Sequence, residues 1–353
     1  VKLAVVAWHR PEPEGTPTGR CLYAFGEGLV AEGHEVAMWS WTRHEPTGPL
    51  PEWCEWHHLP PEPAWKTRAR ALWRPRFDIV RAGWKLPEGW VGLADEPMSW
   101  SAMAGEPLSA VTFHYLTRHD APAVGRRSAR DVQDRRCEAY AARKAPAVLA
   151  FSERVGRIAG GRATVVPIAY PVPDEPLPPV DEPVVLLLAN WEWPPNRAAL
   201  ASMLEEWPRV RSLVPDARLL LAGWGSESLS VEEPGVELVG PVDRARDALA
   251  RAAVLAFPCP PSSGPKVKVM EALSFGVPVV TTPAGVEGLR LADGEGAVVV
   301  EEGFAEALAK LLDDPDERRR LGAAGRAAML RHHAPVPAAR ARVAALQAAL
   351  GVD

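Results

Sequence analysis

The chain is short of several things that would each announce a function. None of its uninterrupted apolar runs reaches the roughly 18 residues of a membrane-spanning helix, so no such helix is expected. The formal net charge is only -5, from 40 basic and 45 acidic residues, which gives no global reason to bind nucleic acid. Its four cysteines, Cys21, Cys54, Cys137 and Cys259, lie far apart, so neither a zinc site nor a disulfide framework is expected and a reducing cytoplasm is the simplest setting. The opening strand-like run Val1–Ala7 has no basic flank and no cleavage site, so it is not expected to be a signal peptide. No Gly-x-Gly-x-x-Gly follows it either, which disfavours a nicotinamide oxidoreductase. Lysine is scarce, at seven of the 40 basic residues, so the closely spaced Lys266 and Lys268 stand out.

What is present suits a globular α/β protein: 353 residues, 47% hydrophobic and 24% charged, enough for two cores. The opening reads as strand Lys2–Trp8, turn-rich loop Thr16–Gly19, helix Arg20–Glu32 with Leu22, Phe25, Leu29 and Val30 on one face, then strand Val36–Trp41. Residues 42–75 show no period and read as irregular. Further strands are expected at Phe77–Val80, Trp90–Ala94, Ala110–His114 and Ala147–Phe151, with a charged helix at Ser128–Arg143. Six prolines and four acidic residues within 170–183 predict a stiff, exposed linker. Beyond it the alternation is cleaner, with strands expected at Val184–Ala189, Arg218–Ala222, Val236–Val239, Ala253–Pro258, Val277–Thr282 and Ala297–Val300. Helices are expected at Arg197–Leu213, Arg246–Ala252, Lys266–Phe275, Phe304–Leu312, Glu317–Arg331 and Pro337–Leu350. Two Rossmann-like β/α/β domains facing each other across a cleft are expected: residues 1–169 and 184–335, with helix 336–353 crossing back to the first.

The segment Phe257–Pro283 is the richest in chemistry. A strand gives way to a small-residue loop over 260–265, and a helix is predicted from Lys266. A helix start offers unpaired backbone N–H groups and the positive end of a dipole, so an anion is favoured there. Ser262, Ser263 and Gly264 would let a phosphate come close, Lys266 and Lys268 would neutralise it, and Glu271 suits a ribose diol. The competing reading is a solvated helix start on which Glu271 merely pairs with Lys268.

The second half resembles the retaining glycosyltransferases of family 4, which have the GT-B fold. The resemblance rests on Asn190–Asn196, Val214–Gly223, Gly235–Val242, Ser263–Pro278, Gly285–Leu289 and Leu311–Arg326, in order over about 150 residues. The first half is similar more weakly, through Gly33–Val36, Phe151–Glu153 and Val165–Pro167. The resemblance implies transfer of a sugar from a nucleotide-diphosphate sugar to an acceptor hydroxyl, with retention and no metal. Glu271 takes the place of the family's ribose-binding glutamate, whereas the family's other glutamate falls on Ser263. Lys268 would neutralise the diphosphate. The backbone of Pro265, Lys266 and Val267, with Gly264, would touch the donor. Asn190 falls near a family arginine, Pro195, Asn196 and Arg197 near a family lysine, and Pro241 and Val242 near the nucleobase. Glu287 would face the sugar or diphosphate.

In the first half, Gly19 matches the glycine loop that approaches the donor phosphate, and His114 ends a strand where relatives place a polar residue near the reacting sugar. The alternatives for these histidines are a satisfied strand-end residue at His114, a loop pair at His119-Asp120, a helix-terminal residue at His34 and solvated residues at His332-His333. Trp191, Trp193 and Trp224 are cleft candidates. Arg126, Arg127, Arg130, Arg135 and Arg136 could meet an anionic acceptor or lipid head group, or form a solvated helix face. The resemblance implies front-face attack, the donor phosphate taking the acceptor proton, and domain closure that excludes water. No resident cofactor and no nucleic acid partner are expected. The acceptor, whether small molecule, polysaccharide or lipid-linked, is left open; the setting is cytoplasmic, at most peripheral to the inner membrane face. The rivals are a catalytically inactive nucleotide-sugar-binding protein and a GT-B-type sugar-nucleotide epimerase.

Overall fold

A computed structural model describes residues 1–41, 50, 52–59, 84–116 and 129–353 of the chain. The chain forms two compact units, Val1–Pro171 with His333–Asp353, and Val172–His332.

The first unit runs β1 (Lys2–Ala7), α1 (Pro17–Ala31), β2 (Glu35–Ser40), β3 (Glu55–His58), β4 (Val91–Ala94), β5 (Ser109–Phe113), α2 (Ala129–Lys144), β6 (Ala147–Ala150), α3 (Glu153–Ile158) and β7 (Thr164–Val165). Its strands form one seven-stranded sheet in the order β3-β2-β1-β4-β5-β6-β7, and every pairing is parallel. Strands β4, β5 and β6 are buried along their whole length, as a sheet covered on both faces requires. Helix α1 starts where Thr16 Oγ1 accepts the Gly19 N–H at 3.1 Å, and it buries Leu22, Phe25 and Leu29. Val30, expected on that face, is exposed instead.

Two strand expectations for this unit change. Strand β3 lies inside the stretch read as irregular; Glu55-Trp56-His57-His58 has no apolar run because it is an exposed edge strand on β2. Strand β5 stops at Phe113, so His114 stands just past its carboxyl end. The expected strand Phe77–Val80, the His119-Asp120 pair, Arg126 and Arg127 lie outside the described residues.

The second unit comprises β8 (Val184–Leu188), α4 (Pro194–Leu213), β9 (Arg218–Ala222), β10 (Val236–Gly240), α5 (Ala245–Leu249), β11 (Val254–Phe257), α6 (Val267–Ser274), β12 (Val279–Thr281), β13 (Ala297–Val299), α7 (Phe304–Leu312) and α8 (Pro315–Ala328). Its six strands order as β10-β9-β8-β11-β12-β13, again all parallel. Strand β8, Val-Val-Leu-Leu-Leu, is wholly buried; each such side chain contributes about 1.5–3 kcal/mol. The one Asp-x-Asp spelling, Asp314-Pro315-Asp316, is a helix start: Asp314 Oδ1 accepts the Glu317 N–H at 2.9 Å and Asp316 pairs with Arg319.

The proline-rich segment is no free tether. From Val172 it packs with the second unit: Leu177 N–H donates to Phe275 O at 2.9 Å, Arg326 to the carbonyls of Pro173 and Asp174, and Arg318 to Asp181 O at 2.8 Å. These carbonyls cannot join a ladder in a stretch so rich in proline, and the arginines satisfy them. The last helix, α9 (Pro335–Leu350), belongs to the first unit and packs on α1. Gly28 makes that packing possible, since a Cβ there would stand 2.0 Å from Pro335 O. His333, expected to be solvated, is fully buried, its Nδ1 2.9 Å from Ile168 O.

Candidate functional site

In each sheet the direction of strand addition reverses once, between β1 and β4 and between β8 and β11, and ligands bind beyond the carboxyl ends of strands at such points. In the second unit the reversal is flanked by loop 189–193, which enters α4, and loop 258–266, which enters α6. The exit of β11 is pinned to β12: Thr281 Oγ1 donates to Phe257 O at 2.6 Å and Thr282 Oγ1 to Cys259 O at 2.7 Å. Ser262, Ser263 and Gly264 follow, all buried, with Gly264 in the left-handed region at φ +75°. Helix α6 begins at Val267, with Lys266 at the cap position and no side chain capping its first turn. Its inward face, Val269, Met270, Ala272 and Leu273, is completely buried and fixes the direction of that turn.

Lys268 joins the two loops. Its Nζ donates to Asn196 Oδ1, in the first turn of α4, at 2.7 Å and stands 4.0 Å above the Phe257 ring. Asn196 in turn donates through Nδ2 to Asn190 O at 2.7 Å. Burial pushes the Lys268 amine down to about 7; the Cys259 thiol opposes this and Lys266 adds to it. The competing reading, a solvated Lys268–Glu271 pair, does not hold: Lys268 bonds Asn196 instead, and Glu271, one turn further along α6, is buried.

Across the small-residue loop, Glu287 Oε1 accepts the Gly264 N–H at 3.2 Å, so a carboxylate already sits where the backbone offers a donor. Lys266 folds back, its Nζ donating to Ser263 O at 3.2 Å and to Gly264 O. Pro265 and Val267 are half-buried. Asn190 is exposed and accepts the Glu192 N–H through Oδ1 at 3.0 Å. Arg197, also exposed, donates to Trp191 O at 2.6 Å. Val242 is half-buried just past β10. Among the three tryptophans, Trp191 is buried and donates through Nε1 to Ala222 O at 3.0 Å, so it serves the core; Trp193 and Trp224 are 50% and 62% exposed. The structure thus brings Ser263, Gly264, Lys266, Lys268 and Glu287 together in one corner. Asn190 reaches it through Asn196.

In the first unit, Gly19 lies in the first turn of α1, where a Cβ would meet Arg10 O at 2.7 Å; the backbone that approaches it closely is the chain's own. His114 is 17% exposed, its Nε2 3.1 Å from Asp95 Oδ2 and its ring packed on Phe151 at 4.7 Å. Asp95 follows β4 directly and also holds buried Arg342 of α9 at 3.0 Å. Burial would raise the Asp95 carboxyl, but His114 and then Arg342 outweigh it and hold the group well below the usual carboxylate range. Sequence reasoning missed Asp95 and Arg342. The signal for Asp95 was an acid at the end of an apolar strand; for Arg342 it was a lone cation on the Ala338–Ala339 face of an alanine-rich helix.

Comparisons with known proteins agree with this architecture. Residues 182–314 match a family described as glycosyl transferases group 1. A phosphatidyl-myo-inositol mannosyltransferase of Mycobacterium leprae (strain TN) is 30% identical over 160 residues, which are 42% of this chain and 42% of that protein. Among solved structures, TarM superposes with a TM-score of 0.71 at 9% identity, covering 98% of both chains. Anabaena Alr3699/HepE, solved in complex with UDP, superposes with a TM-score of 0.63 at 14% identity, over 99% of this chain and 100% of that one. The chain therefore has the GT-B fold and is group 1 glycosyltransferase-like, with the family match lying in its second unit.

Proposed function

We propose that the chain transfers a sugar from a nucleotide-diphosphate sugar to an acceptor hydroxyl, with retention and without a metal ion. The observation that carries this is the corner at the β8/β11 reversal, where a scarce lysine, an uncapped helix start and a left-handed glycine converge. A diphosphate there would accept from the first N–H groups of α6 and from Lys268, whose amine it would draw back to the ammonium form. Glu271 is assigned to the ribose, Val242 with Pro241 to the nucleobase, and Arg197 and Asn190 to the outer rim of the donor site. Glu287 is assigned to the Gly264 N–H in the absence of donor, and to the sugar or diphosphate in its presence. In the first unit we assign Gly19 to the donor phosphate and His114 to the reacting sugar.

In the reaction so assigned, the bond from the anomeric carbon to the phosphate oxygen breaks and a bond to the acceptor oxygen forms on the same face. The acceptor proton passes to the departing diphosphate, so no enzymic nucleophile is needed. Positive groups fixed where charge develops on the leaving group supply the stabilisation. A second reading, a nucleotide-sugar-binding protein without catalysis, draws on Ser263 standing where relatives have a glutamate.

The test is a panel of UDP-, GDP- and TDP-sugars, read both by thermal shift and by release of nucleoside diphosphate. Transfer predicts that one donor stabilises the protein and is slowly hydrolysed, and that Lys268→Ala and Glu271→Ala each weaken the shift. Stabilisation without any release favours the binding protein, and unchanged shifts in both variants contradict the site.

A further inference from the structure

We propose that Trp193 and Trp224 form an acceptor subsite on the second unit and that the acceptor they hold is a carbohydrate chain, a reading that rests on the transfer proposed above. Of the described tryptophans only these two are exposed, and the donor assignments leave both unused. An indole is among the largest apolar surfaces a side chain offers, and leaving one in water forgoes the burial that the other described tryptophans obtain. A single exposed apolar residue needs no explanation. Two large rings on adjoining loops, at the carboxyl ends of the neighbouring strands β8 and β9, mark a contact surface.

Both rings ride on rigid turns. Past β8, Asn190 O accepts the Trp193 N–H at 3.3 Å and Asn190 Oδ1 accepts the Glu192 N–H, and Pro194 and Pro195 then open α4. Past β9, Trp224 stands between Gly223 at φ +113° and Gly225 at φ +80°. A Cβ at Gly223 would collide with Ala189 O, so this turn lies directly on the exit of β8. Ser226 Oγ donates to Gly223 O and Ser228 Oγ to Gly225 O, each at 2.7 Å. Trp224 O accepts the Trp191 N–H at 2.8 Å, which fastens one loop to the other. A ring presented on a preformed turn loses little conformational entropy when it binds.

The polar groups beside the rings select the ligand. Glu192 is exposed, and its stem runs along the Trp224 turn: a Cβ at Gly225 would lie 3.4 Å from Glu192 Cγ. Glu227 and Ser228 are exposed on that turn, and Arg197 reaches Ser228 Oγ at 3.5 Å. Two carboxylates beside the rings repel an anionic bilayer surface, and a purely apolar ligand would strip them of water without replacing it. A saccharide meets both demands: its hydroxyls donate to the carboxylates while the C–H faces of its rings lie on indole. The surface is also continuous with the donor corner. Trp193 and Asn196 share the entry to α4, and Asn196 Oδ1 accepts from Lys268 at 2.7 Å.

The test exposes the full chain to an array of neutral oligosaccharides and follows the retained complex by hydroxyl-radical footprinting. The expected result is that an oligosaccharide is retained and slows oxidation of Trp193 and Trp224. Trp193→Ala and Trp224→Ala should each weaken its affinity about tenfold or more with the UDP thermal shift kept, and the Phe variants should restore part of it. If an alanine variant does not fold, the footprint on the unaltered chain decides. No retained oligosaccharide, or one that leaves both indoles as reactive as before, overturns the inference. Loss of the UDP shift together with the glycan also overturns it, by giving the rings to the nucleobase, and so does capture by phosphatidylglycerol vesicles in place of glycan. Glycan held at the two rings of a chain that releases no nucleoside diphosphate would uphold the carbohydrate site and overturn the transfer reading. Donor hydrolysis with no glycan retained would do the reverse.

Discussion

An ammonium group folded into protein loses hydration, and at Lys268 that loss is met by one amide oxygen and one aromatic face. With the amine near 7 in the folded chain and 10.5 as its ordinary value, the unfolded chain holds a proton through that window that the folded chain does not. This group's contribution to stability therefore grows as pH rises from about 7 to 10.5, and is lost as pH falls back through it. A bound diphosphate reverses the balance by favouring the ammonium. At pH 8 UDP binding should take up about one proton, seen by calorimetry in two buffers of different ionisation heat, and Lys268→Met should abolish the uptake. Binding without proton exchange would contradict the role given to this side chain. The sequence made Lys268 conspicuous through rarity and spacing, but not its partner. That Asn196, 72 positions earlier, would receive the bond depends on β8 and β11 lying side by side, which no local pattern states.

At the scale of elements, apolar runs and glycine stops made most strands and helices legible. Val184–Leu188, Arg218–Ala222 and Phe304–Leu312 match their expected spans within a residue, since a strand covered on both faces or a helix with one apolar face writes its period into the chain. Strand β3 was illegible because an exposed edge strand has no such pattern to show. The proline segment misled for another reason: composition revealed that it could not pair in a sheet, but not that Arg318 and Arg326 would bind its carbonyls. Helix packing is likewise set by contacts distant in sequence, as at α1 and α9. Gly28→Ala would force a methyl against Pro335 O and, 2.9 Å away, Ala339 Cβ. We expect it to cost about 1–3 kcal/mol, read as a lower denaturation midpoint with donor stabilisation retained. An unchanged midpoint would show that the two helices are not pressed together there.

For the whole molecule, the structure adds that each sheet has a single reversal of strand order; that there are two parallel sheets was expected from the alternation of elements on either side of residues 170–183. How residues far apart combine was not: Arg342 enters the first unit's site from the last helix, 247 residues beyond Asp95. Among the described residues no helix is long and apolar enough to cross a membrane. The central claim is that a diphosphate docks where β11 turns into α6. Hydrogen–deuterium exchange with saturating UDP tests it most directly. The account predicts slowed exchange in peptides covering 259–275, weakened in Lys268→Ala; protection confined to the 172–183 segment, or none anywhere under conditions where UDP binds, would contradict it.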